Sequence, residues 1–289
     1  MSAPVAVGLI GAGPWARMVT APVFAAGPET TLAGVWSRTA AHADELAAER
    51  GVPAFDSIDA LLDACDAVAI AVSPGAQPDY AIKAARAGKA VLLEKPIAFD
   101  VPSAQRMADA IGEAGVGSLV VLTYRYNTPA REFLARAQTF AALGGRGCFL
   151  SGAFLEGPFA MGWRLERGCL LDVGPHIIDL LDAALGEVVD LEAGGDVHGW
   201  VGVTMQHASG ATSQASMCCR TAIEGRTEVE LFGPTGALLL DGRAGDRAET
   251  FATLRREFAE VARTGGPHPV DVQRGLYLQR LLAKAEASL

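Results

Sequence analysis

Apolar residues in the first part of the chain form short runs that alternate with longer amphipathic segments. Such runs predict buried β-strands, and the segments between them predict helices. The predicted strands are 5–11, 31–37, 67–73, 90–94 and 119–124, and the predicted helices are 15–26, 40–51, 59–64, 78–88 and 102–115. Buried strands that alternate with helices indicate a parallel sheet covered on both faces.

The pattern changes after about residue 125, where longer strands with one polar side predominate. The predicted strands are 147–155, 187–194, 199–207, 211–220, 227–233 and 236–241, and the predicted helices are 129–142, 175–185, 248–264 and 270–287. The turn sequences ASGA and GPTGA between consecutive strands predict hairpins. We therefore expect a doubly wound α/β domain over residues 1–123. Residues 124–289 should form an α+β domain with a mostly antiparallel open sheet, for substrate binding and oligomerisation.

The composition is that of a soluble globular protein. The 289 residues are 50% hydrophobic and 20% charged, enough for a substantial core. The net charge of −9 and the lack of a basic cluster argue against nucleic acid as a partner. No apolar run reaches the ~18 residues of a membrane span, so we expect no membrane association and a cytoplasmic location.

The cysteines are odd in number and lie mostly within apolar runs, which favours buried reduced thiols over disulfides. They are Cys65, Cys148, Cys169, Cys218 and Cys219. No CxxC or HExxH spacing is present, so we expect no metal site.

A G-x-G-x-x-A motif, formed by Gly11, Gly13 and Ala16, follows the first predicted strand and opens the first helix. In this context the first glycine permits a tight turn, the second lets the backbone approach a pyrophosphate, and the alanine allows close packing. The motif predicts dinucleotide binding, with Pro14 and Trp15 as further contacts. The alternative is a glycine-rich turn that binds nothing.

The second strand ends in Ser37 and Arg38, at the position where an NAD-preferring site usually has an acidic residue. A hydroxyl and a guanidinium would bind a 2′-phosphate that a carboxylate would repel. We therefore expect NADP(H), with NAD(H) as the alternative. Arg38 could instead be an ordinary surface residue.

Lys95 follows a buried strand, at the carboxyl end of a parallel sheet where ligands bind. It could stabilise negative charge on a substrate oxygen, or form a surface ion pair with Glu94. Further along, Pro175 suits the first position of a helix, which would place His176 in its first turn beside Asp172. A helix start disfavours imidazolium and would keep His176 available as a base.

These motifs together resemble the glucose–fructose oxidoreductase/inositol dehydrogenase (Gfo/Idh/MocA) family. The resemblance rests on the glycine motif, AGKAVLLEKP at 87–96, YRYN at 124–127, WR at 163–164 and DVGPHIID at 172–179. It implies an NAD(P)-dependent dehydrogenase or reductase of sugars, cyclitols or related compounds, with Lys95, Asp172 and His176 as catalytic residues. It also implies a cis Lys95–Pro96 bond and a homodimer or homotetramer formed through the second sheet.

The reaction expected from this set is hydride transfer between the nicotinamide and a small-molecule substrate. His176 would exchange the hydroxyl proton, Lys95 would polarise the same oxygen, and Asp172 would orient His176 or tune its charge. Further candidate cofactor contacts are Ser73, Pro74, Gln77, Glu94 and Lys95. Candidate substrate contacts are Tyr124, Arg125, Asn127, Trp163, Arg164 and His176.

Two features depart from the family pattern. Gln77 stands where the family often has histidine, and the glycine run before Asp172 is reduced to Gly168. Arg167, in place of a glycine, would either narrow the pocket or bind an anionic substrate. Two other functions stay open: a reductase of a non-sugar carbonyl compound, and a cofactor-binding regulator without turnover.

Overall fold

The computed structural model describes residues 3–289 and divides into two compact units. The first is the described part of Met1–Val121 with Phe251–Tyr277, and the second is Leu122–Thr250 with Leu278–Leu289. The predicted boundary at residue 123 had assigned Phe251–Tyr277 to the second domain. Long-range contacts place this segment in the first unit. Val120 N–H donates to the Val270 carbonyl at 2.8 Å, and Arg255 pairs with Glu29 at 2.7 Å.

The first unit contains a parallel five-stranded sheet, as predicted. Its strands are β1 (Val5–Ile10), β2 (Thr30–Trp36), β3 (Ala67–Ile70), β4 (Ala90–Leu93) and β5 (Ser118–Val120). Their order is β2-β1-β3-β4-β5. Ile10 pairs with Ile70, and Ile70 pairs with Leu93, so these three strands end at the same edge of the sheet. The loops that follow them therefore meet at that edge.

The helices of the first unit connect these strands. A π-helical stretch, Ala16–Thr20, continues into α1 (Ala21–Ala25), followed by α2 (Ala40–Arg50), α3 (Ile58–Asp63), α4 (Gln77–Arg86) and α5 (Val101–Ala114). Gly51 ends α2 in the left-handed conformation. The side chains of Ser57 and Asp100 accept N–H groups at the starts of α3 and α5.

The second unit contains a six-stranded sheet that is mostly antiparallel, which confirms the predicted fold class. Its strands are β6 (Gly144–Leu150), β7 (Val188–Gly195), β8 (Val201–His207), β9 (Thr212–Cys218), β10 (Arg226–Gly233) and β11 (Gly236–Asp241), in the order β11-β10-β6-β9-β8-β7. Both predicted hairpins, β8–β9 and β10–β11, are present, and β6 runs parallel to β9.

The remaining helices are α6 (Thr128–Ala137), α7 (Trp163–Leu185), α8 (Arg247–Thr264) and α9 (Val272–Glu286). A short 3₁₀ turn, Thr123–Tyr126, replaces the end of the predicted fifth strand. Helix α7 packs closely on β6 because glycines face it. An added Cβ would lie 2.7 Å from Ile177 at Gly147 and 3.3 Å from Leu185 at Gly145.

Two further expectations concern location and thiols. Within residues 3–289, no helix is long and apolar enough to cross a membrane. The five cysteines are thiols, four of them buried and Cys148 half-buried. Burial raises the pKa of Cys169 to about 12, so this thiol stays protonated and unreactive near neutral pH.

Candidate active site

The predicted dinucleotide-binding motif forms a turn after β1 that is tight at Gly11 and open at Gly13. Gly11 has φ +115°, and an added Cβ would lie 2.3 Å from the Ala71 carbonyl oxygen. Its N–H donates to the Trp36 carbonyl at 2.8 Å. An added Cβ at Gly13 would meet nothing within 4 Å, and Ala16 is fully buried. The tight turn, the open backbone and the close packing fit a bound nicotinamide dinucleotide.

Ser37 and Arg38 follow β2 directly, beside this glycine turn. Ser37 is half-buried and Arg38 is exposed. The preceding Trp36 packs edge-on against Tyr80 of α4, with ring centroids 5.5 Å apart. The Trp36 carbonyl also accepts the Gly11 N–H. Ser37 and Arg38 therefore follow the strand next to the glycine turn, where dinucleotide-binding folds bind the adenosine ribose.

Lys95 lies just beyond the end of β4 and is half-buried. The Lys95–Pro96 peptide bond is cis, in agreement with the family resemblance. The neighbouring Glu94 accepts a hydrogen bond from the indole nitrogen of Trp15 at 2.6 Å. The carboxylate beside the lysine is therefore hydrogen-bonded to the glycine turn.

Gln77, a predicted cofactor contact, is hydrogen-bonded to the backbone around Lys95. It is fully buried, and its amide makes three hydrogen bonds to the backbone of Glu94 and Ile97. Through these three hydrogen bonds, the Gln77 side chain stabilises the loop that contains Lys95. Of the two other candidates in the same turn, Pro74 is buried and Ser73 is exposed.

His176 lies inside α7 and not at the start of a helix. The backbone leaves the helical conformation at Gly168, with φ 79° and ψ −173°. An added Cβ there would lie 2.3 Å from the Val197 carbonyl oxygen, so the break requires glycine. Pro175 sits within the helix, where its missing N–H removes one backbone hydrogen bond. The predicted effect of a helix start on His176 therefore does not apply, because that effect fades beyond the first turn.

Two aromatic rings flank the buried imidazole of His176. Tyr124 contacts it edge-on with centroids 5.5 Å apart, and Phe149 stacks on it at 6.0 Å. The Tyr124 hydroxyl donates to Thr227 Oγ1 at 3.0 Å. Burial raises the pKa of Tyr124, against the smaller opposing effect of the Thr227 hydrogen bond. Tyr124 is therefore a neutral side chain that packs against the imidazole.

Asp172, one helical turn before His176, is joined to two other predicted residues. Arg164 Nε lies 3.2 Å from Asp172 Oδ1. The same guanidinium stacks over the rings of Trp163 at 4.8 Å and Phe159 at 5.2 Å. The structure thus brings Trp163, Arg164 and Asp172 together, and the charge of Asp172 is balanced by Arg164.

Arg125 and Asn127 have structural contacts where substrate contacts were predicted. Arg125 Nη1 lies 3.1 and 3.3 Å from the two carboxylate oxygens of Asp179, which is 1% exposed. The buried Asn127 caps α6 by accepting from Ala130 N–H at 3.2 Å, and its amide donates to the Ala244 carbonyl. Asn127 is therefore a helix cap, and Arg125 supports the helix that carries His176.

Arg167, expected to narrow the pocket or bind an anion, pairs with Glu286 of α9 at 3.3 Å. Both side chains are partly exposed, at 41% and 31%. In this structure Arg167 is therefore joined to α9 by a partly exposed ion pair.

Phe149 and Thr227 are the site residues that sequence analysis missed. Strand β6 begins three residues before its predicted start, and its alternate residues Gly145, Gly147 and Phe149 share the face packed on α7. The predicted strand 147–155 already places Phe149 on the same face as Gly147, so period-two alternation could have identified it. No local signal marks Thr227, because it is 103 residues from Tyr124 in the sequence.

Comparison with known families gives matches over most of the chain. Residues 5–122 match the profile described as "Oxidoreductase family, NAD-binding Rossmann fold". Residues 104–239 match the profile of the GFO/IDH/MocA C-terminal domain.

Individual relatives are sugar-modifying oxidoreductases. A D-apiose dehydrogenase from Paraburkholderia graminis is 32% identical over 68% of this chain and 58% of its own length. A 1,5-anhydro-D-fructose reductase from Ensifer adhaerens is 31% identical over 62% of this chain and 56% of its own length. The chain thus spans somewhat more than half the length of these relatives.

The solved structure of GenD2 from gentamicin A biosynthesis, in complex with NAD, shares the fold. Its TM-score is 0.87 at 20% identity, over 100% of this chain and 95% of that one.

Proposed function

Because the chain belongs to the GFO/IDH/MocA oxidoreductase family, we propose that it is an NAD(P)-dependent dehydrogenase or reductase of a sugar-like substrate. One observation carries the proposal: the hydrogen bond from Trp15 to Glu94 joins the dinucleotide turn to the residue before Lys95. A cofactor-binding element and a candidate catalytic lysine are thereby linked within one unit.

When bound, a nicotinamide cofactor supplies the hydride donor or acceptor. Gly11, Gly13 and the backbone around them would hold its pyrophosphate. Ser37 and Arg38 favour NADP(H), because a hydroxyl and a guanidinium can bind a 2′-phosphate. NADPH should therefore bind more tightly than NADH to the unmodified protein, and equal affinities by fluorescence titration would contradict this preference.

Lys95 is proposed to donate a hydrogen bond to the oxygen on the reacting carbon. Its ammonium would stabilise the negative charge that develops there, which is useful only if its position is fixed in advance. The buried amide of Gln77 is hydrogen-bonded to the Glu94 backbone and so restrains the chain next to Lys95.

His176 is proposed to exchange the hydroxyl proton, as an acid in reduction and as a base in oxidation. The edge of Tyr124 and the face of Phe149 restrict the orientation of its ring. Asp172 lies one turn earlier on the same helix face. It would tune the charge near the imidazole, while Arg164 keeps its carboxylate in place.

The substrate class follows from the relatives named above, a D-apiose dehydrogenase and a 1,5-anhydro-D-fructose reductase. We propose a sugar, a cyclitol or a related alcohol or carbonyl compound. The test is to follow NADPH or NADH absorbance with a panel of aldoses, keto-sugars, inositols and aromatic carbonyls. Turnover of a sugar or cyclitol that is lost in His176→Ala is the expected result.

Two outcomes would contradict this proposal. Tight cofactor binding without turnover on any compound would indicate a regulator. Turnover confined to aromatic carbonyls would indicate the alternative substrate class.

We also propose that the protein is a homo-oligomer formed through the second sheet. The face opposite α7 exposes Phe232 and Leu239, at 41% and 62%, next to each other on β10 and β11. Small residues such as Gly202 and Ser216 continue this face on β8 and β9. Light scattering at micromolar concentration should give at least a dimer mass, and Leu239→Glu should lower it. A monomer mass for the unmodified protein would contradict the proposal.

A further inference from the structure

One buried side chain is hydrogen-bonded to the backbone on both sides of Lys95. Gln77, the first residue of α4, is fully buried. Its Oε1 accepts the Glu94 N–H at 2.7 Å. Its Nε2 donates to the carbonyls of Glu94 at 2.8 Å and Ile97 at 3.0 Å. All three partners are backbone groups immediately before and shortly after Lys95.

Strand β4 ends at Leu93, before this segment. At the strand end, Val121 N–H donates to the Leu93 carbonyl at 2.9 Å. Beyond Leu93 the chain turns, and Pro96 has no N–H to donate. The Gln77 amide therefore supplies hydrogen bonds to the backbone next to Lys95, just beyond the end of the strand.

We propose that Gln77 is a positioning residue for Lys95, an inference that rests on the proposed function of that lysine. By fixing the backbone on both sides of Lys95 and Pro96, the amide fixes the direction in which the Lys95 side chain leaves the strand. A glutamine offers one acceptor and two donor hydrogens, which the three observed bonds use. An imidazole offers one donor and one acceptor, so histidine at this position would keep two of the three.

The first test compares Gln77→Leu with Gln77→His. Leucine is similar in size and makes none of the bonds, so kcat should fall by roughly 10- to 100-fold, as expected when a catalytic group is misplaced by about 1 Å. Gln77→His should stay within about tenfold of the unmodified protein. Gln105→Leu, at a half-buried glutamine of α5, is the matched control and should leave kcat unchanged.

A second readout needs neither substrate nor cofactor. The chain has four lysines, Lys83, Lys89, Lys95 and Lys284, so ¹³C-dimethylation of the whole protein gives four assignable lysine NMR signals. In Gln77→Leu the Lys95 signal should move or broaden while the other three stay in place. An unchanged Lys95 signal would overturn the proposal, even if kcat falls through a general loss of stability.

Gln77→Glu adds a pH dependence that a purely structural role would not produce. The carboxylate still accepts the Glu94 N–H, but it faces two carbonyls to which it cannot donate. Burial raises the pKa of such a carboxyl, and its protonated form can donate to one carbonyl again. The kcat of Gln77→Glu relative to the unmodified protein should therefore rise as the pH falls. A constant ratio across pH would overturn the proposal, and this test remains if Gln77→Leu does not fold.

Failure of the proposed function would look different. If the unmodified protein shows no turnover, or if Lys95→Met retains it, the role of Lys95 is wrong. The NMR comparison then decides alone whether Gln77 positions Lys95.

Discussion

The candidate residues of the first unit lie in loops at strand ends, whereas those of the second unit lie on one long helix. In the first unit, main-chain groups and one buried amide position Gly11, Gly13 and Lys95. In the second unit, ion pairs and aromatic rings position Asp172 and His176. The difference indicates that the candidate residues of the first unit depend on backbone geometry, and those of the second unit on the identity of neighbouring side chains.

Breaking a side-chain contact in the second unit should have the largest effect. Arg125→Met leaves the Asp179 carboxylate, with a side chain 2% exposed, without this ion pair. We expect the free energy of unfolding to fall by ~3–5 kcal/mol, measured by urea denaturation. The matched control is Arg243→Met, whose partner is Glu224 and whose pair is exposed, with an expected loss of ~0–1 kcal/mol. Equal losses would contradict the importance of the buried pair.

Lys95→Met tests the chemistry of the first unit without disturbing its backbone. Loss of one transition-state donor should lower kcat by roughly 10²–10³. The dissociation constant of NADPH should change much less, because the pyrophosphate contacts are main-chain groups elsewhere. Lys83→Met, which removes an exposed pair with Asp59, should leave both values near normal. Near-normal turnover of Lys95→Met would mean that the lysine is not catalytic.

Gly13→Ala tests whether the cofactor pyrophosphate lies against the open backbone at Gly13. The new methyl meets no protein atom within 4 Å, so stability should change by less than ~1 kcal/mol. Because the methyl would occupy space beside the expected pyrophosphate, cofactor affinity should fall by about tenfold, or ~1.4 kcal/mol. Gly112→Ala within α5 is the control. An unchanged affinity in isothermal titration would show that the cofactor does not approach Gly13.

Arg38→Ala should have the smallest effect, because the side chain is exposed and its charge is screened by solvent. The ratio of NADPH to NADH affinity should fall by roughly three- to tenfold, measured by fluorescence titration. Arg86→Ala, another exposed arginine of the same unit, should leave the ratio unchanged. The same ratio in both variants would remove the basis for the proposed NADP preference.

Sequence analysis succeeded where a few neighbouring residues determine the geometry. The tight turn at Gly11 follows from its positive φ and the close Ala71 carbonyl, and a two-glycine motif after a strand predicts it. The helix start at Pro175 was wrong for a physical reason. Proline is favoured at a first helical position, but the break in α7 lies at Gly168, where the positive φ and the close carbonyl of the distant Val197 require glycine.

The sequence by itself determined the two sheets, the glycine turn and the strand-end lysine, because these follow from hydrophobic period and local backbone sterics. Tertiary structure decided which polar side chains are used structurally. Gln77 meets Glu94 across 17 residues, and Arg125 meets Asp179 across 54. Such pairings depend on how helices and strands pack, and hydrophobic patterning fixes which face is buried without fixing which side chains meet on it.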